Sequence, residues 1–261
     1  EPDIVQISGG EPTMHPQFWD VMDAVRRRPI RHRMLNTNGV RIAQEDGFAE
    51  RLASYGPGFE VYLQFDSLRE GALRTLRGAD LRRVREQALA KLNALDLSTT
   101  LVVTVRRGSN EDELGDLVRL AIAQRCVRGV TFQPVQDAGR NDGFVPDAHR
   151  LTLTEVRRRI LEQFDAFSPD DILPVPCHPE CLAMAYAIRG EGDALVPLTR
   201  YVDRELLLEG TRNTITFEAE LRDGGFPGAF TRAFSTAHGP ESAEASLREL
   251  LCCLPRVEAL P

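Results

Sequence analysis

The sequence of 261 residues lacks any long apolar run, and no stretch approaches the roughly 20 apolar residues that a membrane-spanning helix needs. No secretory signal peptide opens it, although its first residue, Glu1, is not methionine. It also lacks an excess of positive charge, because 32 Lys and Arg oppose 39 Asp and Glu for a net charge of −7. This balance argues against nucleic-acid binding as the main function. The arginines are dispersed among acidic residues, which predicts solvated helix faces.

Cysteine is scarce and unevenly placed. Cys126 stands alone, whereas Cys177 and Cys181 form one close pair and Cys252 and Cys253 another. An odd number without a secretory signal favours reduced thiols or metal ligands over a disulfide framework, as expected of a cytoplasmic protein. A Cys-x3-Cys pair in a Pro-rich loop can reach one metal, and the second pair is a candidate for the remaining ligands. Spacing alone permits zinc, and the alternative is four inert buried thiols.

Five short apolar or β-branched runs alternate with amphipathic segments in the first half of the chain. The runs cover residues 3–8, 33–37, 60–65, 99–105 and 129–134. Helices are predicted around Phe18 and Val25, at about 41–54 and 80–95, and from a cap at Ser109 or Asn110. The alternation predicts parallel strands with right-handed crossovers, in an open sheet or part of a (β/α) barrel. In both architectures the ligand lies at the carboxyl ends of the strands.

The alternation ends near residue 140, and we place a domain boundary between residues 145 and 146. Residues 1–145 are predicted to form the α/β domain, and residues 146–261 an α-rich extension that carries the four paired cysteines. Within the extension, helices are predicted at about 152–167, 182–189 and 242–251.

Glycines and polar residues follow the predicted strands and are the candidate ligand-binding residues. They are Gly9, Gly10, Glu11, Pro12, Thr37, Asn38, Asp66, Thr104, Asn110 and Gln133. The two glycines allow a ligand to approach the backbone, and carbonyl or carboxylate oxygens there can accept hydrogen bonds from an ammonium group. Glu11 is therefore predicted to bind such a group, and its alternative role is that of a polar residue at a helix start.

The other candidates have structural alternatives. Asn38 belongs to an Asn-Gly pair that is common in turns. Asp66 ends an apolar strand, where it either faces a ligand or caps a helix. Thr104 is favoured as an ordinary strand residue, and Asn110 is expected to cap a helix first and contact a cofactor second. Gln133 is expected to bond either substrate or backbone.

These motifs together resemble the radical S-adenosylmethionine (SAM) superfamily. The resemblance is carried by residues 9–12, 35–39, 63–67, 102–114 and 130–134, in the order and spacing of the family. The first of these, Gly-Gly-Glu-Pro, matches the family motif that holds the methionyl amino group. The whole chain looks most like the branch related to the GTP cyclase of molybdenum cofactor synthesis, and within it like tetraether-lipid-synthase-like iron–sulfur enzymes.

The resemblance implies a partial (β/α) barrel that binds SAM. A [4Fe-4S] cluster would cleave SAM reductively, and the 5′-deoxyadenosyl radical would abstract hydrogen from a small-molecule or lipid substrate. It implies an electron donor such as flavodoxin or ferredoxin, and an auxiliary iron–sulfur cluster at the paired cysteines. The alternatives are a GTP cyclase-like enzyme, or a non-catalytic binding or scaffold module with structural zinc.

One feature of the family is missing from the sequence. No three cysteines have the Cys-x3-Cys-x2-Cys spacing that binds the catalytic cluster and that precedes the Gly-Gly-Glu-Pro strand in the family. The simplest expectation is a fragment that lacks the first βα unit and is inactive by itself. A natural relative without the cluster is the alternative.

Overall fold

A computed structural model describes residues 2, 4–137, 143–174, 182–189 and 195–210. The chain divides into two units, Glu1–Thr152 and Leu153–Pro261. The division falls later than the boundary placed between residues 145 and 146. The reason is that a short helix at Pro146–His149 is tied to the first unit, where the Arg107 N–H donates to the carbonyl of His149 over 2.9 Å.

The first unit is built on a parallel sheet whose five strands lie side by side in chain order. The strands are β1 (Ile4–Ile7), β2 (His32–Thr37), β3 (Phe59–Gln64), β4 (Thr99–Val105) and β5 (Val127–Pro134). All four neighbouring pairs are parallel. The predicted α/β class and the five predicted strands are confirmed. Successive right-handed crossovers in this order put the helices on one face of the sheet, as in a segment of a (β/α) barrel.

The helices of the first unit differ from prediction in four places. They are α1 (Phe18–Arg26), α2 (Val40–Gln44), α3 (Phe48–Ala53), α4 (Glu70–Arg77), α5 (Arg82–Ala94), α6 (Leu114–Ile122) and α7 (Pro146–His149). The helix predicted over residues 41–54 is two helices, because Gly47 between them adopts a left-handed conformation with φ of 74°. The helices α4 and α7 were not predicted. The helix expected from Ser109 or Asn110 begins at Leu114.

One face of the sheet, here called the outer face, packs against the helices. Its alternate strand residues are fully buried and include Leu35, Val61, Leu63, Leu101 and Val103. The close approach of α2 is visible at Gly39, where a Cβ atom would lie 2.6 Å from Leu63 Cδ1 and 3.5 Å from Ala88 Cβ of α5. Glycine at this position, with φ of 79°, therefore lets both helices pack on Leu63.

The opposite face, here called the inner face, is polar. Strand alternation and register place the following side chains on it: Ile4, Gln6, Ser8, His32, Met34, Asn36, Glu60, Tyr62, Gln64, Thr100, Val102, Thr104, Gly129, Thr131 and Gln133. Ile4, Met34 and Val102 are the apolar side chains of this set. A parallel sheet that is packed on both faces has near-continuous apolar strands. The inner face is therefore suited to water or to a polar ligand.

The second unit contains the helices α8 (Leu153–Gln163) and α9 (Arg204–Gly210) and two antiparallel strand pairs. The strands are β6 (Ile172–Pro174), β7 (Ala183–Ala185), β8 (Ala187–Arg189) and β9 (Leu195–Pro197). The helix predicted over residues 182–189 is wrong, because β7 pairs with β6 and β8 pairs with β9, and such pairing overrides weak helix propensity. The described part of this unit is thus not purely α-rich. The helix predicted at 242–251 lies outside the described residues.

Within the described ranges, the helices are all too short or too polar to cross a bilayer.

Candidate functional site

The predicted site residues gather at the carboxyl edge of the sheet in two groups. Glu11, Thr37 and Asn38 meet at the ends of β1 and β2. Asp66, Thr104 and Asn110 meet at the ends of β3 and β4. Gln133 lies on β5 and pairs with Thr104 in the strand register. Gln133 is exposed.

Glu11 ties the end of β1 to the end of β2. Its Oε1 accepts from the Thr37 hydroxyl over 2.8 Å, from the Thr13 hydroxyl over 2.6 Å and from the Thr13 N–H over 3.2 Å. Its Oε2 accepts from the Asn38 N–H over 2.7 Å. A carboxylate has about four lone-pair sites, two on each oxygen. Oε1 is therefore fully used, and Oε2 keeps room for one further donor.

The glycines before Glu11 leave the end of β1 open. Gly9 has φ of 154°, a conformation that other residues rarely adopt, and a Cβ atom built on Gly9 or Gly10 would meet no atom within 4 Å. Both residues are exposed. Pro12 begins the short 3-10 helix Pro12–Met14, for which Glu11 is the capping residue. A ligand can thus reach the backbone carbonyls at this strand end.

Asn38 starts the second crossover. Its Oδ1 accepts from the N–H of Val40 over 2.9 Å, which fixes the turn into α2. The turn role expected of the Asn-Gly pair is confirmed.

Asp66 is buried between two arginines. Arg77 donates to both of its carboxylate oxygens over 2.8 Å, Arg85 donates to Oδ2 over 2.9 Å, and the Thr104 N–H donates to Oδ1 over 3.1 Å. The Asp66 side chain is 0% exposed. The helix-cap role expected of Asp66 is wrong, since α4 begins at Glu70 after Arg69. Its contact with a ligand stays a prediction. Asp66, Arg77 and Arg85 are here called the Asp66 cluster. Its one carboxylate and two guanidinium groups give a net charge of +1.

The charges in the Asp66 cluster shift its pKa values. Burial raises the pKa of Asp66, but the hydrogen bonds and charge of Arg77, aided by Arg85 and the Thr104 N–H, outweigh burial, so the pKa lies below its usual value. The hydrogen bond to Asp66 raises the pKa of Arg77. Burial lowers the pKa of Arg85, whose Nε and Nη1 are buried and have no hydrogen-bond partner within the described ranges. Arg77 is 29% exposed and Arg85 1%. Arg77 is thus the member of the cluster that a ligand can reach.

Asn110 fastens the ends of β3 and β4 together. Its Nδ2 donates to the carbonyls of Asp66 and Thr104, each over 2.8 Å, and its Oδ1 accepts from the Arg106 N–H over 2.9 Å. The side chain is fully buried. The expected helix cap is wrong, because Glu113 precedes the first residue of α6. Asn110 therefore positions the Asp66 cluster.

Sequence reasoning missed three charged side chains at this edge of the sheet. Arg77 and Arg85 were assigned to solvated helix faces, whereas they neutralise Asp66. Glu113 is 4% exposed and accepts hydrogen bonds from the Ser67 hydroxyl and, over 3.1 Å, from the Leu68 N–H. A signal for the arginines was present, because a carboxylate at the end of an apolar strand requires a cationic partner.

Metal ligation falls outside what the structure describes. Cys177, Cys181, Cys252 and Cys253 lie outside the described residues. Cys126 is fully buried, and burial raises the pKa of its thiol to about 11. Among the described residues, no three His, Cys, Asp or Glu side chains are grouped to hold a metal ion. Cys126 does not fit the ligand set of an iron–sulfur cluster, because such ligands are thiolates.

The comparison with known proteins identifies this arrangement. A family model of the Radical SAM superfamily matches residues 2–121, which span four of the five strands. Residues 2–121 therefore match a radical SAM domain. The resemblance inferred from its strand ends is thereby confirmed, and proteins of this superfamily use SAM together with a [4Fe-4S] cluster.

Three relatives of this radical SAM domain are informative. The 7,8-dihydro-6-hydroxymethylpterin dimethyltransferase of Methanocaldococcus jannaschii is 28% identical over 81% of this chain and 46% of its own length. The mycofactocin maturase MftC of Mycobacterium ulcerans is 32% identical over 58% of this chain and 40% of its own. The probable GTP 3′,8-cyclase of Pyrococcus abyssi is 31% identical over 45% and 37%. The chain therefore spans less than half of each of these relatives.

Proposed function

We propose that this chain binds SAM and substrate as part of a radical SAM enzyme that abstracts hydrogen from a polar small molecule. The observation that carries the proposal is the open glycine edge at Gly9 and Gly10 on the same sheet edge as the positively charged Asp66 cluster. The methionyl group of SAM carries an ammonium, which the acceptor oxygens at the glycine edge can bind. It also carries a carboxylate, which the positive charge of the Asp66 cluster can bind.

The ammonium group is assigned to the end of β1. The carbonyls of Gly9 and Gly10 and the free acceptor site of Glu11 Oε2 are oxygens that can accept its three N–H bonds. Oε1 of Glu11 is used by two threonines, so Glu11 both binds and holds the strand end in place. Pro12, Thr37 and Asn38 are proposed to hold the backbone around this ammonium-binding site in place.

The carboxylate is assigned to Arg77. Arg77 already donates through Nε and Nη2, and it reaches Thr104 Oγ1 over 3.1 Å. Its partly exposed side chain can therefore present the surplus positive charge of the cluster to a ligand. Thr104 and Gln133 are proposed to contact the rest of SAM, and Asp66 and Asn110 to support this surface from within.

The catalytic cluster is assigned to residues outside this sequence. A [4Fe-4S] cluster, when bound, supplies the electron for reductive cleavage of SAM, and the sequence has no Cys-x3-Cys-x2-Cys. We accordingly expect these 261 residues alone to form no 5′-deoxyadenosine from SAM under reducing conditions. Detection of 5′-deoxyadenosine would contradict this assignment.

The paired cysteines are proposed to hold an auxiliary iron–sulfur cluster. Anaerobic reconstitution with iron and sulfide should give a visible absorption spectrum that is lost in Cys177→Ala or Cys181→Ala. Stoichiometric zinc without iron uptake would instead support the scaffold module with structural zinc.

The substrate is proposed to lie against the inner face. The polar residues of that face favour a polar substrate over the lipid chain suggested by the tetraether-lipid branch, because an acyl chain would bury their amides without hydrogen bonds. Two relatives are named for a pterin and for GTP, which supports this choice.

The decisive measurement is the affinity for SAM. In Arg77→Met, Asp66 remains paired with Arg85, so the fold should persist while the charged contact to the methionyl carboxylate is lost. A charge-assisted hydrogen bond is worth about 1.5–3 kcal/mol, so the dissociation constant should rise about 10- to 100-fold. Arg74→Met is the matched control, because Arg74 lies on the same helix and pairs with Glu70 at the surface. Equal SAM affinities in the two variants would refute the assignment.

A further inference from the structure

In the part of the chain that the structure describes, two neighbouring side chains of the inner face have polar atoms without a hydrogen-bond partner. The Oδ1 of Asn36 is buried and accepts no hydrogen bond from a described residue. Its Nδ2 lies 3.5 Å from Ser8 Oγ, at the outer limit of a hydrogen bond. Among the described residues, none bonds the Tyr62 hydroxyl. Burial, followed by the charge of Glu60, raises the pKa of Tyr62 to about 12, so this hydroxyl is a protonated donor at neutral pH.

Asn36 and Tyr62 can act on one ligand. They pair in the register of β2 and β3, so their backbones are about 4.8 Å apart and their side chains leave the same face. Asn36 offers an acceptor and Tyr62 a donor. Because a buried acceptor without a partner is unfavourable, a ligand that donates to Asn36 is favoured.

The charges on this face restrict the ligand further. The Glu60 carboxylate is engaged, since its Oε2 lies 3.0 Å from His32 Nε2 and its Oε1 accepts from the Thr100 hydroxyl over 2.5 Å. The inner face as defined above contains no lysine or arginine. It therefore matches a neutral group better than a phosphate or a carboxylate. Met34 and Val102 provide apolar contacts on the same face.

We propose that Asn36 and Tyr62 bind the lactam edge of a neutral, fused pyrimidinone ring in the substrate. The Oδ1 of Asn36 accepts from the ring N–H, and the Tyr62 hydroxyl donates to the adjacent ring carbonyl. This inference rests on the proposed function and specifies its substrate class. Pterin and guanine both carry this lactam edge.

The test is equilibrium binding of 6-hydroxymethylpterin and of guanosine to the full 261-residue chain in the presence of SAM. Asn36→Leu and Tyr62→Phe should each weaken binding of the recognised ring about tenfold, the effect of one lost hydrogen bond. Tyr62→Phe changes a single atom and keeps the test valid if Asn36→Leu fails to fold. Tyr55→Phe is the matched control, because the Tyr55 hydroxyl donates to Asp23 over 2.5 Å, away from the inner face.

A second ligand tests whether the donor and acceptor of the lactam edge are recognised. In the 2,4-diamino analogue of 6-hydroxymethylpterin, the ring edge has its donor and acceptor exchanged, so the analogue should bind weakly and equally to the wild type and to both variants. Tight binding of either lactam ring supports the inference. The ring that binds shows whether the substrate carries a pterin or a guanine.

Three outcomes would overturn the inference. They are binding of neither ring, variant affinities equal to those of the control, and weaker SAM binding in Asn36→Leu or Tyr62→Phe with unchanged ring binding. The last result would place both residues against the cofactor instead. Failure of the wild-type chain to bind SAM contradicts the proposed function itself, whereas normal SAM binding without ring binding contradicts this inference alone.

Discussion

Replacement of Asp66 by asparagine should sharply destabilise the first unit. Asp66 has φ of 62°, which asparagine tolerates, so Asp66→Asn removes the charge without adding backbone strain. The change leaves Arg77 and the 1% exposed Arg85 without their shared carboxylate. Removal of one partner from a buried ion pair costs about 3–5 kcal/mol. At about 2–4 °C per kcal/mol for a unit of this size, the melting temperature should fall by about 6–20 °C.

Urea unfolding followed by circular dichroism measures this loss, and its pH dependence adds a second check. Because the pKa of Asp66 is lowered in the folded state, its contribution is present above the unfolded pKa of about 3.9 and disappears as the pH falls through the folded value. The stability difference between wild type and Asp66→Asn should therefore shrink under acidic conditions. A constant difference down to pH 2 would contradict this origin.

Two comparison variants test whether the loss of stability arises in the Asp66 cluster. Arg85→Met leaves Asp66 bonded twice to Arg77 and removes two unpaired donors, so its loss should be less than half that of Asp66→Asn. Asp116→Asn breaks an exposed pair with Arg119 and should cost less than about 0.5 kcal/mol. If Asp66→Asn costs no more than Asp116→Asn, the Asp66 cluster does not stabilise the fold.

Two further predictions concern other buried groups. Asn110→Ala should cost about 1–3 kcal/mol in urea unfolding, because three backbone groups, including the carbonyls of Asp66 and Thr104, lose their buried partner; an unchanged midpoint would exclude the fastening role. Cys126 should resist iodoacetamide at neutral pH in the native chain and react once urea unfolds it, since burial raises the pKa of its thiol to about 11. Mass spectrometry of the digested chain checks this, and rapid native alkylation of Cys126 would contradict it.

The local pattern predicted the architecture well because each parallel strand carries its own signal. The five β-branched runs and the Gly-Gly-Glu-Pro strand end required no long-range information. Helix limits were predicted less well. A glycine in a left-handed conformation at Gly47 divides one predicted helix, and pairing between short segments replaces the helix expected over residues 182–189.

Site residues were predicted by position but not by partner. The amino acids after each strand indicate that polar groups collect at one edge. The partners of Asp66 and Asn110 depend on which atoms the crossovers α4 and α5 bring within hydrogen-bond distance. The chain positions of Arg77 and Arg85 give no measure of that distance, so only the tertiary structure distinguishes a solvated arginine from a buried one.

The sequence by itself determined the alternation of strands and helices and the open glycine edge, because these follow from local composition and spacing. Its strand-end motifs also carry the resemblance to the radical SAM superfamily that the family model matches over residues 2–121. The tertiary structure alone decided three other features. Glu11 keeps one free acceptor site, Arg77 rather than Asp66 is accessible, and the inner face of the sheet is polar. Each of these depends on contacts between residues that are distant in the chain, where packing decides which polar atoms are satisfied and which remain for a ligand.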